Sequence, residues 1–375
     1  MKIVLLGGSG DLAVRKLLPA IPKKWTVTAY GRRKTSWENL VKRSKAKCKG
    51  TYSAVNLLTF KWNNTLNTDI VYCALPSKIY VDVLERMPLT KNMIILCEKP
   101  VGHNTLSAKK LIERLNKLNA KVYYIDHYLG KGILETFYFM HAANPLLNNS
   151  WHTKYVESCT VYMKENATAK HRAEYYDQTG VIRDVVQNHG LQLLAHVLLQ
   201  TKHYTQNTSK HRAQIIEGFK VVSSTIQQYE PYHNKKKVPT YTELVLEHKK
   251  WNKTTFKIVA GKGLNKKYTA VHLKMRLPQC PADFCPVSDT VILELFPTPR
   301  VQLQFYTGTK KLETKIIDLP LNIKSTQVEA YNKILESMPN TELVINDKEI
   351  IAQWNVVEPC LKKRVTKRYK RGSKK

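Results

Sequence analysis

Short apolar runs rich in β-branched and aromatic residues alternate with helical patterns through the first third of the chain. The runs that predict strands are Lys2–Leu6, Trp25–Tyr30, Asp69–Ala74, Asn92–Cys97 and Lys121–Ile125. The intervening segments that predict helices, from apolar residues at three- and four-residue spacing, are Asp11–Ile21, Ser36–Cys48, Lys78–Met87 and Thr105–Leu118. Repeated βαβ units of this kind build a parallel sheet with helices on both faces. We therefore predict a doubly wound parallel sheet in residues 1–127.

A different pattern begins after residue 127, where long strand-like segments replace the regular alternation. The segments with strand character are Val156–Met163, Lys220–Gln227, Tyr241–Leu246, Phe256–Ala260, Tyr268–Met275, Thr290–Phe296 and Arg300–Phe305. Helical periodicity occurs in Lys131–Ala142, Val181–Leu199 and Gln327–Ser337. We predict that residues 128–361 form an α+β domain built on a large antiparallel sheet. A length of 375 residues agrees with two domains.

Positive charge is the main departure from an average composition. The chain has 61 Lys and Arg against 29 Asp and Glu, a formal net charge of +32. Such an excess attracts polyanions or phosphorylated small molecules over a long range. The tail, residues 362–375, is dense in basic residues and has no acidic one. We expect it to be a solvated, disordered end whose removal leaves activity intact, with a nuclear address or an RNA anchor as the alternative.

Two classes of protein are disfavoured by the sequence. No stretch approaches the roughly 18 consecutive apolar residues that a membrane helix needs, and the apolar start Met1–Leu6 is too short for a signal sequence. We therefore expect a cytoplasmic protein with no membrane span. Cys280 and Cys285 have no second Cys or His pair nearby at zinc spacing, so we expect no metal site.

A glycine-rich segment, Gly7–Asp11, lies between the first predicted strand and the first predicted helix. Glycines at this place let the backbone turn sharply and approach a pyrophosphate at the helix N-terminus, as in Rossmann domains. The spacing is G-x-x-G, and an ordinary strand-to-helix turn is the alternative reading. The second strand ends at Tyr30–Lys34, where arginines replace the acidic residue typical of NAD enzymes. Arg32 can pair with a 2′-phosphate, which favours NADP, although a merely solvated basic cluster stays possible.

Five blocks along the chain together resemble the glucose-6-phosphate dehydrogenase family. In chain order these blocks are Gly7–Pro19, Ala74–Pro76, Glu98–Gly102, Ile125–Lys131 and Tyr176–His189. The similarity continues through Val238–Thr240, Gly261–Lys267, Glu329–Tyr331 and Ile345–Asp347. It therefore spans essentially the whole chain. The resemblance implies an N-terminal Rossmann domain, NADP as cofactor, a phosphorylated sugar as substrate and a homodimer.

The resemblance also implies roles for individual residues. His189 matches the family's catalytic base for the C1 hydroxyl of the sugar, and an imidazole has a suitable pKa for that task. Asp126 matches the aspartate that orients this histidine and stabilises its charged form. The two are expected to meet in the fold. The positions that match substrate contacts are Lys99, His127, Tyr128, Lys131, Glu165, Asp184, Lys262 and Lys267. Those that match cofactor contacts are Gly7, Ser9, Gly10, Asp11, Leu12, Arg32 and Lys99.

Three positions depart from the family pattern. Tyr124 stands where the family usually has arginine, Gly132 replaces a glutamate, and Phe296 replaces a sugar-contacting glutamine. The C-terminal region has no recognisable second, structural NADP site. Two alternatives to an active enzyme therefore stay open. One is a degenerate dehydrogenase fold that binds nucleic acid or another polyanion through its basic surface, and the other is a related sugar dehydrogenase with the same Glu-Lys-Pro motif.

Overall fold

The computed structural model describes residues 1–170, 173–199, 208–276, 290–307, 313–321, 323, 326–340 and 342–375. Cys280 and Cys285 lie outside these residues. The described chain divides into two compact units. The first contains Met1–Lys131, a short segment that ends at Lys210, and Thr326–Ile351. The second contains the described residues within Gly132–Tyr204, His211–Ser325 and Ala352–Lys375.

A six-stranded parallel sheet forms the centre of the first unit, with the strand order β3-β2-β1-β4-β5-β6. The strands are β1 (Lys2–Leu6), β2 (Thr26–Gly31), β3 (Lys49–Ala54), β4 (Ile70–Cys73), β5 (Ile94–Glu98) and β6 (Lys121–Ile125). All five pairings are parallel. This confirms the predicted doubly wound domain and its five strands. The order reverses at β1, which places the glycine-rich segment at the switch point where such sheets bind ligands.

The one strand of this sheet that the sequence did not predict is β3. It lies at the edge and is mostly exposed, so its residues, Lys49–Ala54, show little apolar patterning. The helices that accompany the sheet are Ala13–Leu17 with π-type turns, Leu18–Ala20, Trp37–Ser44, Ser77–Leu84 and Thr105–Leu115. The last of these begins at a reciprocal capping pair between Asn104 and Ser107, which satisfies amide groups at the helix start.

A late segment of the chain belongs to the first unit. Helix Gln327–Glu336 buries Tyr331, Ile334 and Leu335 in the same apolar core as β1. Asn332 donates from Nδ2 to the carbonyl of Ala20 at 2.8 Å. The sequence correctly predicted this helix, but it placed the helix in the second domain. Amphipathic periodicity reports that a helix has an apolar face and does not report which sheet that face covers.

The second unit contains a nine-stranded mixed sheet with the order β14-β13-β12-β11-β7-β10-β9-β8-β15. Its strands are β7 (Val156–Lys164), β8 (Phe219–Glu230), β9 (Tyr241–His248), β10 (Thr255–Gly261), β11 (Tyr268–Met275), β12 (Thr290–Phe296), β13 (Arg300–Thr307), β14 (Glu313–Pro320) and β15 (Lys367–Lys370). The predicted large sheet is confirmed. Two pairings, β7 with β10 and β8 with β15, are parallel, so the sheet is not purely antiparallel.

The C-terminal tail differs from its prediction as a disordered end. Residues 367–370 form β15, which extends the sheet by pairing with β8. Tyr369 is 5% exposed, whereas the three basic residues around it are exposed. The dense positive charge concealed this strand, because a single buried side chain leaves almost no apolar pattern in the sequence. The basic arm that the nucleic-acid alternative relied on is therefore an integral strand of the second unit.

Further helices in or entering the second unit are Gly132–Ala143, Pro145–Ser150, Ala173–Val181, Ile182–Gly190 with π-type turns, Leu191–Val197, Thr208–Ile216 and Asp347–Leu361. The segment 182–197 covers β10, and at Gly190 an added Cβ would lie 3.1 Å from Ile258 Cγ2. Glycine therefore allows this helix to approach the sheet closely. No helix among the described residues is both long and apolar enough to cross a bilayer.

Candidate active site

The glycine-rich segment after β1 is a tight turn held by its own main chain. The amides of Gly7 and Gly8 both donate to the carbonyl of Tyr30, at 2.9 and 2.8 Å, and Gly10 donates to Gly7 at 2.8 Å. Gly7 has φ +85°, and an added Cβ would lie 2.5 Å from the carbonyl oxygen of Ala74. Only glycine fits there without strain. The turn therefore brings bare backbone to the carboxyl edge of the sheet.

The helix that follows this turn begins without a side-chain cap. The chain is already helical at Asp11, directly after Gly10, which has no side chain to act as a cap, and Asp11 forms an exposed ion pair with Arg15 at 3.0 Å. The first amides of the helix are thus available to a negatively charged ligand, and the helix dipole favours one. Ser9 is buried at the centre of the turn. These features fit the pyrophosphate of a dinucleotide.

Two neighbouring arginines follow β2. Arg32, for which a contact with a 2′-phosphate was predicted, is exposed. Arg33 donates from Nη1 to the carbonyl of Ser9 at 3.2 Å, and its own carbonyl accepts from the hydroxyl of Tyr52 at 2.8 Å. Only Arg32 was predicted to contact the cofactor. The structure shows that Arg33 contacts the glycine-rich turn, and its place next to Arg32 was the only sign of this in the sequence.

A buried carboxyl group lies at the end of β5, directly before Lys99. Glu98 is 7% exposed and accepts a hydrogen bond from the hydroxyl of Tyr72 at 2.6 Å. Burial raises the pKa of Glu98 to about 7, while hydrogen bonds from Tyr72 and Tyr331 and the charge of Lys99 oppose that rise. Lys99 is partly exposed at the carboxyl edge of the sheet. The Glu-Lys-Pro motif is visible in the sequence, but the burial of its glutamate is not.

The segment 126–131 after β6 forms a compact turn that carries four predicted site residues. Asp126 is fully buried, and its Oδ1 accepts from the amide of Tyr128 at 2.9 Å. Lys131 places its Nζ 4.4 Å from the centre of the Tyr128 ring. His127 is 8% exposed, and its Nε2 lies 3.2 Å from Nε2 of Gln327.

The late helix Gln327–Glu336 packs against this turn. At Gly130 an added Cβ would lie only 2.1 Å from the carbonyl oxygen of Ala330. A glycine is therefore required where the turn and the helix meet. The turn that holds Asp126, His127, Tyr128 and Lys131 thus depends on residues about 200 positions later in the sequence.

The first family departure, Tyr124, has a structural role in place of the family's arginine. Its hydroxyl donates to Asp347 Oδ1 at 2.8 Å, and its main chain forms a two-bond bridge with Ile345. Burial raises the pKa of Tyr124, so it stays a neutral donor. Asp347 also accepts from Asn116 at 2.9 Å. A neutral tyrosine therefore fills a site that contributes to the packing of the first unit.

Three predicted substrate residues meet in the second unit. Lys262 places its Nζ 2.5 Å from Glu165 Oε2 and 3.7 Å from Asp184 Oδ2. The same ammonium lies 5.4 Å from the centre of the buried Tyr176 ring. The Lys262 ammonium has three hydrogen-bond donors, and the two carboxylates are acceptors. Sugar hydroxyls both donate and accept hydrogen bonds, so this set of groups can bind them. The structure therefore brings together Glu165, which directly follows β7, Lys262, which directly follows β10, and Asp184 of a helix in one polar cluster.

His189 lies in the π-type segment Ile182–Gly190 and is 7% exposed. Its amide donates to Oδ1 of Asn188 at 2.7 Å, and Asn188 donates from Nδ2 to the carbonyl of Arg183 at 3.0 Å. Single turns of this wider helix recur at functional sites. The helix was predicted from the sequence, and His189 was predicted to be the catalytic base. The π geometry was not predicted, because it leaves no periodic pattern in the sequence.

Lys267 and Phe296 form a contact that explains a second departure. The Nζ of Lys267 lies 3.8 Å from the centre of the Phe296 ring, close enough for a cation–π interaction. A ring at this position therefore holds a lysine that was predicted to contact the sugar.

Gly132, the third departure, begins a helix, and an added Cβ there would lie 2.8 Å from Ile323 Cγ2. A glutamate at position 132 would therefore require Ile323 to move.

A parallel dinucleotide-binding sheet followed by a second unit with a large mixed sheet defines a two-domain dehydrogenase. Two family descriptions match the chain: "Glucose-6-phosphate dehydrogenase, NAD binding domain" over residues 33–135 and "Glucose-6-phosphate dehydrogenase, C-terminal domain" over residues 138–375. The second match alone covers more than half of the chain. The chain therefore belongs to the glucose-6-phosphate dehydrogenase family, as predicted, and its cofactor is a nicotinamide dinucleotide.

Relatives and solved structures agree with this assignment over the full length. Glucose-6-phosphate 1-dehydrogenase of Caenorhabditis elegans is 25% identical over 463 residues, an alignment that covers 99% of this chain and 88% of the relative. The Dictyostelium discoideum enzyme is 24% identical, in an alignment that covers 96% of this chain and 88% of that enzyme. The crystal structure of the Mycobacterium avium enzyme has a TM-score of 0.86 at 20% identity, with 99% of this chain and 94% of that chain covered. A glucose-6-phosphate dehydrogenase in complex with glucose-6-phosphate has a TM-score of 0.85 at 22% identity and covers 100% and 95%. These likenesses confirm the predicted fold class.

The buried Glu98 generates a prediction about pH. Its folded pKa of about 7 lies above its ordinary value of 4.5, so the folded state holds the proton more tightly than the unfolded chain does. The wild type therefore loses stability as the pH rises from about 4.5 to 7, by roughly 1–3 kcal/mol. Glu98→Gln can still accept from Tyr72 and does not titrate. We expect the difference in melting temperature, Glu98→Gln minus wild type, to be more positive at pH 8 than at pH 5.

A matched control for this measurement is Glu113→Gln, which removes an exposed carboxylate of the same unit. Its melting temperature should follow that of the wild type at both pH values. Equal pH dependence for Glu98→Gln and the wild type would show that Glu98 does not change its protonation on folding.

Proposed function

We propose that this chain oxidises D-glucose 6-phosphate at C1 to 6-phosphogluconolactone with transfer of the hydride to NADP, the oxidative entry to the pentose phosphate pathway. The observation that carries this proposal is the family assignment, which rests on matches over residues 33–135 and 138–375. Two arrangements support it: the glycine turn after β1 fits a pyrophosphate, and Glu165, Asp184 and Lys262 form one polar cluster. A degenerate, merely polyanion-binding protein would have no reason to keep these arrangements.

The proposed chemistry begins with His189. Its imidazole takes the proton of the C1 hydroxyl as the C1–H bond breaks and a carbonyl forms at C1. The nicotinamide ring, when bound, accepts the hydride that leaves C1. Asp126 is proposed to stabilise the resulting imidazolium, the role that the family resemblance gives it. Deprotonation of the hydroxyl and departure of the hydride are thus coupled, and both electrons of the C1–H bond leave with the hydride.

We assign recognition of the sugar phosphate to the turn 126–131. His127, Tyr128 and Lys131 offer a ring nitrogen, a hydroxyl and an ammonium, and a phosphate dianion rewards such clustered donors. Lys131 is held over the Tyr128 ring, which restricts the positions of its ammonium. Binding energy from the phosphate then serves to orient C1 for reaction. Lys99, Glu165, Asp184, Lys262 and Lys267 are proposed to contact the sugar.

The test of the activity is NADP⁺ reduction, followed by absorbance, with glucose 6-phosphate as substrate. We expect turnover in the wild type and a fall in kcat of about 10²–10⁴-fold in His189→Asn, because the base is lost while the fold is kept. Melting temperature and NADP⁺ affinity should stay close to the wild type.

His152→Asn is the matched control, since His152 is an exposed histidine of the same unit, and it should retain full turnover. Unphosphorylated glucose as an equally good substrate would favour the related sugar dehydrogenase. A folded wild type with no turnover, together with salt-dependent nucleic-acid binding, would favour the polyanion-binding alternative.

We propose that NADP, rather than NAD, is the cofactor. Arg32 is exposed at the end of β2, and Arg33 is tied to the phosphate-binding turn. A guanidinium at this edge can make a charge-assisted pair with the 2′-phosphate of NADP. We expect Arg32→Ala to lower kcat/KM for NADP⁺ by about tenfold to a hundredfold, the value of roughly 1.4–2.8 kcal/mol, and to change kcat/KM for NAD⁺ little.

The control for cofactor choice is Lys34→Ala, which removes an exposed positive charge two residues away. It should leave the ratio of the two kcat/KM values near that of the wild type. Equal losses for NADP⁺ and NAD⁺ in Arg32→Ala would place the 2′-phosphate contact elsewhere.

We also propose that the protein is a cytoplasmic homodimer. Edge strand β14 supports the dimer, because Ile316, Ile317 and Leu319 are 62, 48 and 39% exposed. An exposed apolar edge strand is a surface that another chain tends to cover. Light scattering on the purified protein should give twice the mass of one chain, and Ile316→Lys should shift the mass towards one chain. A single-chain mass for the wild type would contradict the dimer.

A further inference from the structure

One side chain of the C-terminal strand β15 is buried. Tyr369 is 5% exposed, and its ring packs with those of Tyr229 and Tyr241, at centroid distances of 6.3 and 5.8 Å. The remaining residues of the strand are exposed. A tyrosine buried in this way usually finds a partner for its hydroxyl. The acceptor of the Tyr369 hydroxyl therefore indicates which segment of the chain this strand keeps in place.

The hydroxyl proton of Tyr369 has one best acceptor. Its oxygen lies 2.6 Å from the carbonyl oxygen of Lys262 and 3.0 Å from Oγ1 of Thr240. The carbonyl of Lys262 can only accept, whereas the Thr240 hydroxyl can donate its own proton to Tyr369 while it accepts from the amide of Tyr229 at 2.8 Å. A hydroxyl has a single proton, so Tyr369 donates its own to Lys262. A distance of 2.6 Å is at the short end for such bonds.

The main chain around Lys262 is bonded to the same strand and its continuation. Gly372 donates to the carbonyl of Gly263 at 2.7 Å, and Asn265 donates to the carbonyl of Ser373 at 3.2 Å. The amide of Lys262 donates to the carbonyl of Thr240 at 2.9 Å. The loop 261–265 is thus held from one side by the C-terminal residues.

The other side of the loop carries the polar cluster. The Lys262 ammonium contacts Glu165 and Asp184, and the main chain of Glu165 is bonded to both Gly261 and Leu264. A shift of the loop would therefore move the ammonium and one of its carboxylate partners together. Because contacts to a sugar depend on such distances, small displacements weaken binding.

We propose that Tyr369 is a positioning residue for Lys262, and that the C-terminal strand thereby sets the affinity of the enzyme for its sugar phosphate. This inference rests on the proposed function, in which Lys262 contacts the sugar. Tyr369 does not touch the substrate itself. It acts by fixing the carbonyl of Lys262, so the effect of its loss falls on substrate binding and spares both the base and the cofactor.

The experiment compares Tyr369→Phe, which keeps the buried ring, with the wild-type full chain. We expect the KM for glucose 6-phosphate to rise about tenfold, the loss of roughly one hydrogen bond, while kcat and the KM for NADP⁺ stay within about twofold. In a Lys262→Met background the same substitution should change the KM no further. An unchanged KM in Tyr369→Phe, or equal changes in both KM values, would overturn the proposal.

Lys370→Ala is the matched control, because Lys370 is the exposed neighbour in the same strand. A second measurement needs no turnover: amide hydrogen exchange of the loop 261–265 should be faster in Tyr369→Phe than in the wild type or in Lys370→Ala. Equal exchange in all three would overturn the coupling. A wild type with no turnover would overturn the proposed function instead, and the exchange rates would still decide whether the strand holds the loop.

Discussion

The contact between Gly130 and Ala330 is the constraint on which the first unit depends. The turn that carries Asp126, His127 and Lys131 can approach the late helix Gln327–Glu336 only because position 130 has no side chain. The same helix supplies Gln327 to His127 and Tyr331 to Glu98. A parallel sheet alone would leave this turn exposed at the sheet edge. The late helix therefore completes both the apolar core and the polar surroundings of the predicted phosphate-binding residues.

The second unit holds charged side chains close together at the end of two strands. Glu165 and Lys262 directly follow two strands and Asp184 lies in a helix, and the Lys262 ammonium pairs with both carboxylates. Charged side chains that are partly removed from water are tolerated when they are paired in this way. The π-type segment that contains His189 lies in the same unit, packed on β10 through Gly190. Most of the proposed substrate contacts thus lie in turns and loops directly next to β-strands, and only Asp184 lies within a helix.

The sequence predicts those elements whose burial produces a regular pattern of apolar residues. The buried strands of the first sheet and the strands around β7, β11 and β12 repeat apolar residues regularly, and their positions were predicted to within a few residues. The edge strands β3, β14 and β15 are largely exposed and lack the regular alternation of apolar and polar residues that predicts a strand, so they were missed. The roles of Glu98, Arg33 and Tyr369 depend on contacts between distant segments, and no local pattern encodes those. The ordered motifs of the family, in contrast, identified the polar cluster before its geometry was available.

The hydrogen bond between Tyr369 and the carbonyl of Lys262 joins positions 107 residues apart in the chain. Contacts between distant positions form slowly in folding, because the entropy of closing the long intervening loop opposes them. Strands that are neighbours in the sequence, such as β11 and β12, can pair without β15. The loop at Lys262 therefore reaches its final geometry only when β15 is in place.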